Sequence, residues 1–177
     1  GVKQLVAAGH TVTVQAGAGD SSGFSDETFV AAGAQIARDA AKVWNDSDMV
    51  IKVKEPLPEE FGYFREGLIL YTYLHLAAFP ELTRELLGKK VTGVAYETIT
   101  DDRGALPLLR PMSEIAGRMA SQVGASCLER FGGGKGLLMG GIPGTRRAQV
   151  VILGGGIVGT AAARIAIGLG ARVTVLD

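Results

Sequence analysis

The sequence predicts an α/β protein made of two doubly wound, mostly parallel, Rossmann-like domains joined by a long helix, with both domains truncated. Three observations carry that expectation. Short apolar, β-branched runs alternate with helical segments over the whole stretch before Thr100, the pattern of a parallel sheet covered on both faces. Glycine is frequent, 26 of 177 residues against an average of about 7%, and it clusters where strand and helix meet. The chain closes on a strand, a glycine turn, a helix and a second strand in immediate succession.

Composition sets outer limits on function. The chain is 47% hydrophobic, with 18 basic and 18 acidic residues and a formal net charge of zero. That balance offers no electrostatic case for nucleic acid or for an anionic membrane surface. The single cysteine, Cys127, sits in an apolar helical segment and allows no internal disulfide framework, which fits a reducing, cytoplasmic setting. No signal peptide or twenty-residue apolar span is evident, and no metal site is expected.

Taken in order, Val2, Leu5 and Val6 share one helical face until Gly9 breaks the helix, and Thr11 to Gln15 alternates as a strand. Ser25, followed by Asp26 and Glu27, reads as a helix N-cap with acids in the first turn. A helix through Val30 to Ala32, a short strand around Gln35 and Ile36, and a helix from Ala37 to Trp44 follow, with Trp44 as a core anchor. MVIKVK is a strand ending at Glu55-Pro56, Leu57 to Phe64 a turn or short helix, and Leu68 to Tyr73 a strand. Pro80 opens a helix reaching Leu87, and Val91 to Tyr96 is another strand. After Pro111 comes a helix of roughly twenty residues, in which Ile115, Met119, Val123 and Cys127 keep helical spacing. These elements divide into a first domain, 1–110, a connecting helix, 111–131, a glycine-rich linker, 132–147, and the start of a second domain, 148–177.

The stretches LVAAGHTVTVQ and AIGLGARVTVLD are alike: helix end, glycine break, alternating strand. The second copy is preceded by a strand and a glycine turn, so the same elements are expected ahead of Gly1. Further strands are expected beyond Asp177. The sequence therefore reads as a fragment.

The second domain carries the clearest motif. Val150 to Leu153 is an apolar strand, and Gly154, Gly156 and Gly159 follow at G-x-G-x-x-G spacing into a helix running from Ile157 to Leu169. Gly170 stops the helix, and Ala171 to Leu176 is a strand ending on Asp177. Gly154 permits the sharp exit from the strand, Gly156 lets a pyrophosphate approach the backbone, and Gly159 brings helix and strand together. The helix N-terminus, with Ile157 and Val158 in its first turn, supplies N–H groups and the positive end of a dipole for the phosphates. Asp177 stands where an acid takes the ribose 2′-hydroxyl and would repel a 2′-phosphate, so NAD(H) is expected rather than NADP(H).

In an open α/β sheet ligands bind beyond the carboxyl ends of the strands. There the first domain offers Lys54, His75 and Glu97, one ionisable group from each of three neighbouring strands. Lys52 and Lys54 fall on one strand face and are out of character in a buried strand; an edge strand would leave them merely solvated. His75 titrates near neutrality and can move a proton at a reacting atom, whereas His10, in a turn, reads as structural. Glu97 is either an acid of the site or a cap. Ser113 most simply caps the long helix, whose N-terminus is placed to face the cofactor.

At these residues the chain resembles the alanine dehydrogenases, within the larger family that includes the nucleotide-binding subunit of proton-translocating transhydrogenase. The stretches AGAGDSSGFSD, KVKEPLPEE, YTYLHLAA, AYETI, LPLLRPMSEIAGRMA, GGKGLLMGGIPG and VVILGGGIVGTAA carry the likeness over essentially the whole chain. KVKEP with LHLAA distinguishes the dehydrogenases from the transhydrogenase branch. The resemblance implies NAD-dependent, reversible oxidative deamination of L-alanine to pyruvate and ammonium by a homohexamer. It also implies that Lys54 contacts substrate, His75 is the acid/base, Ser113 contacts the cofactor and Asp177 holds the adenosine ribose. The family's substrate-binding arginine, ahead of Gly1, and a catalytic aspartate, beyond Asp177, are absent. A transhydrogenase-type NAD(H)-binding module that serves a partner subunit is the alternative, and an inactive remnant or interaction partner a third.

Overall fold

The structure, a computed structural model, describes residues 1–177 and divides into two units, Gly1–Glu97 and Thr98–Asp177. All its strand pairs are parallel, as the alternation of strands and helices requires. No helix is long and apolar enough to cross a membrane.

The first unit opens with α1 (Val2–Ala7), ended by Gly9 at φ 90°, and β1 (Thr13–Gln15). Helix α2 (Asp26–Ala31) leads to β2 (Gln35–Ala37), which pairs with β1. Ser25 holds the N-cap position of α2, but its hydroxyl makes no cap bond and lies 3.4 Å from that of Thr28. Helix α3 (Ala40–Asp46) starts later than the sequence suggests, because the Asp39 carboxylate accepts the Lys42 N–H at 2.8 Å and leaves Ala37 in β2.

Strands β3 (Met49–Ile51), β4 (Ile69–Thr72) and β5 (Thr92–Ala95) form a second sheet in the order β3-β4-β5. A 3₁₀ turn, Pro58–Tyr63, and α4 (Pro80–Gly88) fill the connections. Trp44, Val50, Phe64, Leu68, Leu70, Leu74, Leu82 and Leu86 make the core. Trp44 is its aromatic anchor, stacked on Tyr63 with ring centres 5.9 Å apart. The Arg65 guanidinium donates to the carbonyls of Trp44 and Ser47, tying the turn to the end of α3.

Strand β3 is shorter than MVIKVK. The regular strand ends at Ile51, although the Lys52 N–H still donates to the Tyr71 carbonyl at 3.2 Å; the Lys52 ammonium pairs with Glu60 and lies 5.7 Å from the centre of the Trp44 ring. The same Glu60 carboxylate accepts the Leu57 N–H at 2.7 Å. An acid and an aromatic face together hold the Lys52 side chain. Lys52 is partly covered and Lys54 exposed.

The second unit holds α5 (Arg110–Leu128), β6 (Gln149–Leu153), α6 (Ile157–Gly168) and β7 (Arg172–Leu176). Strands β6 and β7 pair in register from Gln149↔Arg172 to Leu153↔Leu176. Helices α5 and α6 pack through small residues: Gly117 is buried, and a Cβ there would stand 2.2 Å from the Val158 carbonyl oxygen. The buried Ser121 hydroxyl donates to the Ala162 carbonyl at 2.8 Å. Ser113 does not cap α5. Pro111 is tolerated in a first turn, so the helix starts at Arg110 and the Ser113 N–H already donates to the Leu109 carbonyl at 3.2 Å.

Candidate active site

In the first unit the parallel strands β3, β4 and β5 send their carboxyl ends to one edge of the sheet, where the segments holding Lys54, His75 and Glu97 gather. Beyond the last β3–β4 ladder pair the Tyr73 N–H donates to the Val53 carbonyl at 3.2 Å, and the Thr72 hydroxyl donates to the Lys54 carbonyl at 2.8 Å. Thr72 is fully buried, so Lys54 is fastened by its backbone while its side chain is exposed.

His75 follows β4 on an exposed turn at φ 47°. A residue with a Cβ spends about 1–2 kcal/mol in that left-handed conformation, so neighbouring bonds must hold it. They come from Glu97. One carboxylate oxygen accepts the His75 N–H at 2.7 Å and the Leu74 N–H at 3.1 Å; the other accepts from Leu74 at 3.3 Å. Glu97 is thus neither a cap for the segment after it nor a group facing open solvent.

The His75 ring is held from two sides. Its Nδ1 lies 3.0 Å from the Glu55 carboxylate, and the ring stacks on Tyr73 with centres 6.0 Å apart. A hydrogen bond from its own backbone N–H holds the Glu55 carboxyl below the usual glutamate range. Partial burial opposes that shift, while contact with His75 and the charge of Lys54 add to it. Beneath them Tyr96 meets Tyr71 and Tyr73 edge to face, with centres 4.4 and 4.9 Å apart. Burial, then proximity to Tyr71 and Tyr73, raises the Tyr96 phenol above its ordinary value. Glu55 escaped the sequence reading, although its place directly after Lys54 at a strand end was a usable signal.

In the second unit the glycine turn has the shape its sequence requires. Gly154 leaves β6 at φ 98°, and a Cβ on Gly159 would lie 1.9 Å from the Gly154 carbonyl oxygen. Above Gly156, at the N-cap of α6, a Cβ would meet nothing within 4 Å. The Thr160 hydroxyl donates to the Gly155 carbonyl at 2.7 Å, bracing the turn. Asp177, after β7, accepts the Gly155 N–H at 2.9 Å. An open depression of about 340 Å³ lies against Gly155, Gly156, Ile157 and Thr160, with Arg110, Arg118 and Arg164 on its walls. Free space over the turn, a helix N-terminus and an acid at the next strand tip match what a pyrophosphate and a ribose demand.

A dinucleotide-type glycine turn in one unit and parallel strands joined through helices in both make this an α/β protein of the Rossmann-like kind. The chain belongs to the alanine dehydrogenase/PNT family: residues 1–116 match its N-terminal domain and residues 120–177 its C-terminal domain. It is 59% identical over 177 residues to the alanine dehydrogenase of Bacillus subtilis (strain 168), covering 100% of this chain and 46% of that protein. A solved L-alanine dehydrogenase superposes with a TM-score of 0.90 at 52% identity, over 99% of this chain and 48% of the other. The transhydrogenase of Sinorhizobium meliloti superposes less well, with a TM-score of 0.77 at 26% identity over 99% of this chain and 52% of its own. The chain spans about half the length of the curated relatives it matches.

Proposed function

We propose that the protein to which this chain belongs is an NAD-dependent L-alanine dehydrogenase, converting L-alanine, NAD and water reversibly to pyruvate, ammonium, NADH and a proton. The observation that carries this reading is His75, held at the strand-end rim by two carboxylates beside an exposed lysine. The identity to alanine dehydrogenases supports it, more than double that to the transhydrogenase structure.

In this reading residues 1–110 form the amino-acid domain, 111–131 the connecting helix, 132–147 a linker and 148–177 the start of the nucleotide domain. The ammonium of Lys54 pairs with the substrate carboxylate or polarises its carbonyl. His75 moves a proton to or from the carbinolamine that links alanine and pyruvate. Bound NAD would supply the hydride acceptor for the alanine α-carbon, and the protein's part is to hold and orient it. Gly154, Gly156 and Gly159 bring the backbone to its pyrophosphate, and Ile157 and Val158 present the first-turn amides of α6. Asp177 takes the adenosine ribose, and Ser113 adds a cofactor contact. The enzyme works as a homohexamer in the cytoplasm, on small molecules alone.

The deciding experiment is alanine-dependent reduction of NAD and of NADP by the full-length protein. Turnover with NAD and little with NADP is expected. NADH binding without alanine-dependent turnover would replace this reading with a nucleotide-binding module that serves a partner subunit.

A further inference from the structure

We propose that Glu97 and Glu55 are the positioning residues of His75: Glu97 fixes its main chain in the left-handed conformation, and Glu55 fixes its ring with the proton on Nδ1, leaving Nε2 to exchange a proton with substrate. This rests on the reading of His75 as the proton carrier. It assigns work to two carboxylates that the proposed chemistry itself does not use.

Each half follows from geometry. Strand β4 ends at Thr72, and a chain continuing in extended form would carry Tyr73, Leu74 and His75 onward with alternating side chains. Instead Tyr73 and Leu74 are buried and His75 turns to φ 47°. The consecutive N–H groups of Leu74 and His75 converge on one carboxylate, which comes from the 3₁₀ turn directly after the neighbouring strand β5. Successive amides aimed at one anion form a nest, and such charge-assisted bonds are the stronger kind. Removing the acceptor releases the main chain at the residue where the backbone is least at ease.

The ring is a separate matter. An ionised carboxylate accepts and cannot donate, and Glu55 is held in its ionised form by its own backbone N–H before anything else. At 3.0 Å from Nδ1 it accepts a hydrogen bond from the N–H of that nitrogen, so the proton stays on Nδ1. In the neutral imidazole the proton on Nδ1 leaves Nε2 with its lone pair, the form a base needs. Glu97 from the β5 side, Glu55 from the loop after β3, with Lys54 beside it, and Tyr73 behind the ring are the polar groups around His75.

The test uses the full-length enzyme, with alanine-dependent NADH formation and, separately, NADH binding followed by fluorescence. His75→Ala should abolish turnover. Glu97→Ala should lower kcat at least about tenfold, and Glu97→Gln, which keeps an acceptor oxygen, should recover most of that loss. Glu55→Gln lets the ring adopt either tautomer and should lower kcat by about a hundredfold, within the range of a misplaced general base. In these glutamate variants KM for alanine and NADH affinity should stay within about twofold of the parent. Parental kcat in Glu97→Ala and Glu55→Gln, with His75→Ala inactive, would overturn the positioning roles and leave His75 in place. Turnover in His75→Ala would remove the proton carrier itself. A rise in KM for alanine matching the fall in kcat would mark general loosening and also overturn the proposal. If Glu97→Ala yields no NADH-binding protein, Glu55→Gln and Glu55→Ala decide on the same criterion.

Discussion

Thr72→Val isolates the link between the β4 core and the segment that carries Lys54. The substitution keeps shape and volume and deletes one hydroxyl, whose bond to the Lys54 carbonyl measures 2.8 Å. A net hydrogen bond contributes about 0.5–1.5 kcal/mol, and an acceptor left stranded in the interior costs about 1–3 kcal/mol. Here Thr72 is fully buried but Lys54 is exposed. The bond is only part-buried, so the loss is taken as that of one net hydrogen bond, about 1 kcal/mol. In a protein of the relatives' length, of which this chain makes up 46%, an unfolding entropy of about 2 cal/mol/K per residue turns that into a fall of about 1 °C in the thermal midpoint. Since the bond tethers the lysine proposed to meet the substrate carboxylate, KM for alanine should rise severalfold while kcat changes less. Thr72→Ser keeps the donor and should restore KM. Steady-state kinetics and a thermal melt on the full-length protein are sufficient, and a Thr72→Val variant with parental KM and midpoint would refute the tether.

Two further outcomes follow from the same contacts. A Cβ at Gly159 would sit 1.9 Å from a backbone oxygen, so Gly159→Ala must shift the turn; overpacking of about 1–3 kcal/mol, if it falls on the bound form, should weaken NADH binding by about five- to 150-fold. Gly168→Ala, on the same helix with nothing within 4 Å, should leave binding unchanged in the same titration. Glu55 has a folded-state pKa below its usual value, so its contribution to stability is complete above about pH 4.3, the ordinary glutamate value, and is lost as pH falls through the lower folded value. Between pH 5 and pH 3, approximately, the urea midpoint should fall less steeply for Glu55→Gln than for the parent; parallel curves would contradict that assignment.

How much was legible in the sequence depended on whether the signal was periodic. The β6-turn-α6-β7 unit was read to within a residue or two, because apolar alternation, glycine spacing and a terminal acid are all local. The order β3-β4-β5 agrees with the expectation that Lys54, His75 and Glu97 follow neighbouring strands. Boundaries set by a single side chain were missed. Asp39 delays α3, and β3 stops at Ile51, just before Lys52 pairs with Glu60. Both depend on partners the pattern of apolar residues does not reveal. Ser113 misled for a related reason: a serine beside a helix start suggests a cap, yet Pro111 allowed the helix to begin at Arg110, before it.

The same distinction explains why Glu97 was ambiguous and Glu55 invisible. Sequence reasoning asks which side chains are free to meet a ligand, and by that measure His75 and Lys54 stand out. A residue that acts on a backbone amide 22 positions away leaves no trace in composition or spacing. Its role is written in the neighbour's φ angle, 47° at a residue that bears a Cβ. Left-handed backbone at an imidazole next to a strand end needs a compensating acceptor, and in this fold the turn after the adjacent parallel strand β5 supplies it. The turn after β5 therefore matters to the chemistry of β4 even if nothing it carries ever touches substrate. A sequence that kept His75 and Lys54 but replaced Glu97 with an apolar residue should retain its fold and lose most of its turnover.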